Sequence, residues 1–428
     1  MKQVRRIIDS SLFKNISLII FGSGLSQFIA ILSIPIVTRL YSPESFGTFG
    51  IVMAVTSVLA TIVSGRFNIA VMLPRQHIRA QAIFDLAILT AWFTSILCML
   101  FLVLSSSFAN LNAVFWLLPF LMLVLGLQQS IETWVSRHKN FKLISFSIIL
   151  GTLGGVLFKI LLGFVFVKSD IDSSLWGGFG LLFGTLFTSL ITAFYLKKGS
   201  DLKFIPKFVF FNPKQKVLLK KYKHMPLYRA PKDAINAISQ NLPALCLTLF
   251  FGATATGFYI VAERLMKAPV LLLGNALRKV LFQKFTELNH QDISPIHLAI
   301  KMTQVLIFVA IMPFILISFW GSDLFEFLLG SVWLDAGNYV KWLALWMFFA
   351  LINIPAMTLI PIYELEDFFF IYELVSLMLR FGGFLFSYYL LNSDELAVAA
   401  YCLISALANG VLILLVIFLS KKSRGVNV

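Results

Sequence analysis

An ionisable side chain in the middle of an apolar helix costs about 2.5–3.5 kcal/mol or more to place in a membrane, so it persists where it meets a partner, water or a charged ligand. Long apolar runs of this sequence carry several. The cations are Arg66, Lys159, Arg264, Lys267 and Arg380, with Arg39 and Lys341 nearer the ends of their runs. The acids are Asp85, Glu132, Asp233, Glu263 and Glu373. Arginine offers a planar fork of donors to phosphate oxygens and keeps its charge at physiological pH, so the basic set suits an anion such as a diphosphate. Arg39 and Lys341 can instead snorkel to headgroups. Glu263 lies four residues before Lys267 and Glu373 seven before Arg380, spacings that share a helical face and permit plain structural pairs. The acids Asp85, Glu132, Glu263 and Glu373 therefore read either as ion-coupling groups or as neutralisers of nearby cations.

Nothing points to bond-making chemistry. There is no Walker loop, no G-x-G-x-x-G after a strand and no metal-spaced histidine cluster. Cys98, Cys246 and Cys402 are far apart inside apolar runs, where a free thiol behaves as a small buried hydrophobe. No catalytic residue, metal or cofactor is expected. Any transport must draw on an ion gradient or on removal of product.

The elements that must position these charges are membrane helices. Hydrophobic residues make up 59% of the chain and charged residues only 13%, about half the share of an ordinary soluble domain. Continuous apolar runs without period-two alternation exclude a barrel. Runs bounded by charged, Pro or Gly breaks predict helices near 12–38, 46–73, 80–104, 112–136, 142–167 and 175–196, then 227–250, 254–283, 298–320, 333–360, 368–391 and 395–419. The fold class is thus an all-α polytopic membrane protein of about twelve transmembrane helices. The first run follows MKQVRRIIDSSLFKN but is too long for a signal peptide and has no small-residue cleavage site, so it reads as the first span.

The division predicted is an N-terminal six-helix bundle at 1–196, a basic cytoplasmic linker at 197–226 and a C-terminal six-helix bundle at 227–428. The net charge of +15 sits between spans, which argues against nucleic acid as a partner. Arg75, Arg79, Arg137, Lys139, Lys142, the linker lysines, Arg278, Lys279 and Lys284 all fall on one side, whereas the opposite connections, including FGATATG at 251–257, hold Lys168 alone. By the positive-inside rule both termini are cytoplasmic. Within the linker, Val217, Leu218 and Leu219 among lysines suit either a short helix on an anionic membrane face or a solvated loop.

The halves resemble each other. Gly47-Thr-Phe in RLYSPESFGTFGIV lies 210 residues before Gly257-Phe-Tyr in LFFGATATGFYIV, and helix two of each half is expected to end alike, at Gly65 and at Gly274. Six spans per half make this a parallel repeat about the membrane normal, an arrangement that places substrate in a central cavity between the halves. Pro35, Pro119, Pro243, Pro269, Pro313 and Pro355 are expected to bend spans. Gly151 with Gly155, and Gly180 with Gly184, give small-residue spacings for close helix contact.

Three stretches resemble the oligosaccharide-lipid flippases of the multidrug/oligosaccharidyl-lipid/polysaccharide (MOP) superfamily, specifically the O-antigen and capsule translocases. They are RLYSPESFGTFG at 39–50, SGRFNIAVMLPRQ at 64–76 and MPLYRAPKDAINAISQNLPALCLTLFFGATATGFYIVAERLMKAP at 225–269. The resemblance implies two six-helix bundles around a cavity that opens alternately to each side. It implies as substrate an oligosaccharide repeat unit on undecaprenyl diphosphate, and as partners membrane lipids, a polysaccharide polymerase and a chain-length regulator. It implies a bacterial inner membrane location. Arg66 matches the family's Gly-Arg in helix two and Arg264 its arginine in helix eight. Lys159 and Arg380 fall in no such motif and rest on membrane depth alone.

Two other functions fit less well. A cation-coupled multidrug exporter of the same superfamily would favour acidic rather than basic spans. A membrane glycan polymerase or glycosyltransferase would present catalytic residues on sizeable outer loops, and the outer connections here are only about a dozen residues.

Overall fold

The computed structural model describes residues 18, 21–106, 112–168, 173–200, 202 and 213–425. Among them there is no strand, and eleven helices are long and apolar enough to cross a membrane. The longest, Met225–His290, has 66 residues. At 1.5 Å per residue that is roughly three times the hydrocarbon thickness of a bilayer, too long for one crossing. It divides at Gly252, whose φ of 89° and ψ of −177° are open in practice only to glycine. Twelve spans result among the described residues.

We number them α1 (Phe21–Leu40), α2 (Pro43–Ile62), α3 (His77–Ser106), α4 (Ala113–Arg137), α5 (Phe141–Phe166), α6 (Trp176–Lys198), α7 (230–251), α8 (253–290), α9 (Ile296–Leu329), α10 (Ser331–Leu359), α11 (Glu366–Leu391) and α12 (Asp394–Lys421). Residues 12–17, 19 and 20 of the predicted first run lie outside the described residues.

Local sequence sets the ends. The α2 start is written in Ser42-Pro-Glu-Ser: the Ser42 hydroxyl accepts from the Ser45 N–H at 3.3 Å, Pro43 occupies the first turn, and Glu44 complements the helix dipole. Asn112 opens α4 in the same way, accepting from the Val114 N–H at 3.2 Å. Gly330 (φ 104°) closes α9. Pro35, Pro119 and Pro355 each lie in the first turn of a segment that resumes after an interruption inside α1, α4 and α10, where a missing N–H costs nothing; Pro243, Pro269 and Pro313 are internal to continuous helix.

Two expected boundaries change. Helix two does not run to residue 73. It stops at Ile62, turns through Gly65 and Arg66, both left-handed, and resumes as the short helix Phe67–Ala70. Helix eight has no matching break: Gly274 lies inside an uninterrupted helix that continues to His290, because its backbone stays right-handed. The expected outer loop at 251–257 likewise contracts to the single kink at Gly252.

The chain packs as two compact units, Met1–Asn241 and Leu242–Val428. The packing division falls within α7, so the lysine-rich connection and the first turns of α7 group with the first unit. In that unit Phe67, Val71, Phe84, Trp134, Leu196, Leu218, Tyr222 and Met225 form one buried cluster. Leu218, on the short helix Pro213–Lys221, and Tyr222, just past its end, pin the connection to it while Val217 stays exposed. Elsewhere in the first unit α5 and α6 approach closely. A side chain at Gly155 would collide with Thr188 and the Gly184 carbonyl, and one at Gly184 with the Lys159 stem. The second unit has its own core around Phe285, Leu306, Leu351, Leu359, Leu412 and Val416. Both units expose large apolar side chains along their spans, including Phe93, Phe101, Phe308, Phe319 and Leu414, as a lipid-facing surface requires.

Candidate functional site

In the first unit the broken end of helix two organises the polar groups. Arg66 leaves the break with its side chain 17% exposed, and its Nε lies 2.8 Å from Oδ2 of Asp233 at the start of α7. Two turns further along α7, Asn241 Nδ2 donates to the Ser57 hydroxyl at 2.8 Å. Beside the break Ser64 donates to Asn68 Oδ1 at 3.0 Å, and Asn68 Nδ2 reaches Gln129 Oε1 of α4 at 3.5 Å. Ser64 and Asn68 are both buried. Sequence reasoning missed Ser57, Ser64, Asn68, Gln129 and Asn241. Their signal was present as uncharged polar residues flanking the Gly-Arg, which a search for charges passes over.

Lys159 sits half-buried in α5, its ammonium 5.5 Å from the centroid of the Phe49 ring. Its backbone carbonyl accepts from the Tyr41 hydroxyl at 2.7 Å, and burial raises that phenol's pKa above the ordinary value. Arg39 is exposed in the last turn of α1. Asp85 is half-buried and already engaged. Glu132 of α4 is half-buried and, among the described residues, has no cationic or hydrogen-bonding partner.

In the second unit the two sequence-predicted pairs form. Lys267 Nζ lies 3.0 Å from Glu263 Oε1, and Arg380 Nη1 lies 2.9 Å from Glu373 Oε1. Arg380 is buried, only 9% exposed, so Glu373 neutralises a charge that water scarcely reaches. Lys341 is half-buried. Arg264 differs from all of these. It is exposed, one residue past Glu263 and therefore on another face, and among the described residues no acid or hydrogen-bond acceptor meets it. It lies twelve residues after the Gly252 kink, about 18 Å along α8 and so near the middle of a span. Also unforeseen is Asn353, buried at the joint between Leu334–Ile352 and Ile354–Leu359, donating to Asn409 Oδ1 at 2.7 Å.

These features define a multi-pass helical membrane protein in which, among the described residues, Arg66, Lys267 and Arg380 each meet an acid and Arg264 does not. Its fold is that of MOP-superfamily transporters. It is similar to the lipid II flippase MurJ in an inward closed conformation, with 12% identity, a TM-score of 0.70, and 95% of this chain and 87% of that one covered. It is similar to an inward-facing multidrug resistance MATE family transporter of the MOP superfamily, with 13% identity, a TM-score of 0.64, and 93% and 96% covered. A MOP superfamily transporter from Pyrococcus furiosus, described as having a binding pocket of reverse polarity, aligns with 12% identity, a TM-score of 0.56, and 96% and 95% covered. Comparison with curated proteins finds no match.

The family itself is shown by sequence. Residues 36–338 match the polysaccharide biosynthesis protein family, and the chain belongs to it. A polysaccharide biosynthesis family and a fold shared with transporters thus meet in one chain.

Proposed function

We propose that this chain carries undecaprenyl-diphosphate-linked oligosaccharide repeat units from the cytoplasmic to the outer face of the bacterial inner membrane by alternating access. It would do so for O-antigen, capsule or exopolysaccharide synthesis, with both termini cytoplasmic and a polymerase and chain-length regulator acting on the delivered product. The observation that carries this reading is Arg264, a mid-span cation that is exposed and has no acidic partner among the described residues. Such a charge is expensive unless water and a mobile anion attend it, and a diphosphate is an anion of the right geometry. Stripping a glycan of its water would cost several kcal/mol for each unreplaced hydrogen bond, so it needs a polar route through the protein. Arg66, Lys267 and Arg380 share their charge with Asp233, Glu263 and Glu373, and so offer hydrogen-bond donors at lower insertion cost.

One observation favours the cation-coupled exporter instead. Glu132 is an acid without a cationic partner among the described residues, as an exporter of cationic drugs would need. Deletion of the gene separates the two. Loss of surface polysaccharide with lipid-linked oligosaccharide accumulating on the cytoplasmic face, restored by wild type and not by R264A, supports flipping. Unchanged polysaccharide with new drug sensitivity that E132Q fails to correct overturns it.

A further inference from the structure

We propose that Asp233 is a positioning residue: its ion contact beside Nε holds Arg66 so that the two terminal guanidinium nitrogens form a fork for the substrate's diphosphate. This deepens the flippase reading and rests on it.

The local structure starts from the break after α2. Gly65 and Arg66 both have a φ of 57°, and a non-glycine residue stays in that left-handed region where its surroundings hold it there. Arg66 thereby leaves the helix sideways instead of packing along it. Its Nε is buried, with Asp233 Oδ2 2.8 Å away in an ion contact that lacks hydrogen-bond geometry. Among the described residues Asp233 is its one charged partner, and neither terminal nitrogen has a hydrogen-bond partner. With the carboxylate beside Nε, the guanidinium still offers the edge between its terminal nitrogens, with two nearly parallel N–H donors, which is the edge that matches a pair of phosphate oxygens.

The rest of the contact fixes register. Asn241 to Ser57 and Asp233 to Arg66 are two rungs of one antiparallel ladder, eight residues apart on α7 and nine along the run of helix two. Asn241 also donates to the Ala237 carbonyl one turn back, which holds its side chain at that height. Below the second rung the chain turns through a wide π-type turn at Met225–Arg229, and Pro226 would lie 3.7 Å from a Cβ placed on Gly65. Neutralising a charge needs only proximity. Here a second rung, a left-handed break and a proline-bearing turn also set the height at which the carboxylate sits beside the guanidinium.

The test uses the full-length protein in lipid nanodiscs, titrated with undecaprenyl diphosphate lacking a glycan. D233N is expected to weaken binding about tenfold when Arg66 is present. The double variant D233N/R66A should bind no more weakly than R66A, because Asp233 acts only through that arginine. Additive losses, or D233N binding as well as or better than wild type, would overturn the positioning role while leaving the flippase reading intact. Wild-type protein that does not bind undecaprenyl diphosphate would overturn the flippase reading itself, and the positioning role with it. Should D233N fail to fold, D233E carries the same test: one methylene longer, it keeps the charge, moves the guanidinium and should lower affinity only where Arg66 is present.

Discussion

Arg66 and Arg264 stand in the second helix of their respective halves, yet the chain treats them in opposite ways. Arg66 sits at a helix break, is largely covered and is held by Asp233. Arg264 sits in an unbroken helix, is exposed and meets no acid among the described residues. The first arrangement orients a charge and lowers its cost. The second leaves a charge whole for something that is not part of the chain. Burial and pairing, rather than residue type or depth, separate a cation whose orientation the chain fixes from one that only a ligand can meet.

The largest effect that would sharpen this contrast is on Arg264. R264A should cut polysaccharide export by about a hundredfold or more while leaving membrane expression intact, measured as surface polymer against protein level. Export near wild type would remove the distinction. Next, an acid can be supplied where the chain lacks one. Ile260 is one turn before Arg264 and half-buried, so I260E should convert the free arginine into an i,i+4 pair and lower export about tenfold without altering expression. E373Q comes third. It strips the buried Arg380 of its partner and should lower thermal stability by about 1–3 kcal/mol, discounted because Glu373 is itself 36% exposed. G252A should destabilise by about 1–3 kcal/mol, since a Cβ meets open space there but not an accessible backbone conformation. The smallest effect belongs to E263Q, which loses a one-turn pair whose lysine is 36% exposed and should cost about 0.5 kcal/mol or less in the same melting assay.

Much of the architecture was legible because hydrophobicity and charge act locally. Apolar run length located the spans, and helical spacing alone foretold Glu263 with Lys267 and Glu373 with Arg380. What escaped was set by backbone conformation and by neighbours distant in sequence. The Gly-Arg at 65–66 reads as the end of one helix, but nothing in a linear pattern says that arginine itself turns left-handed or that its partner lies 167 residues on. Internal likeness misled at Gly274, where a glycine at a similar place in the other half sits in an unbroken helix. At 251–257 small residues resemble a loop, yet Thr256 donates back to the Gly252 carbonyl at 2.9 Å and the helix restarts at once.

A count of positive charges treats every arginine between spans as an interchangeable address label, and Arg137 shows the limit of that view. Its terminal nitrogens donate to the carbonyls of Val71, Met72, Pro74 and Arg75 at 2.5–3.4 Å, so it clasps the frayed carboxyl end of the helix-two segment. Lysine would keep the label and lose the clasp, having three donors on a single point in place of a planar fork. Topology engineering that moves charges to reverse the orientation of this protein would therefore unfasten a turn before it inverted a helix.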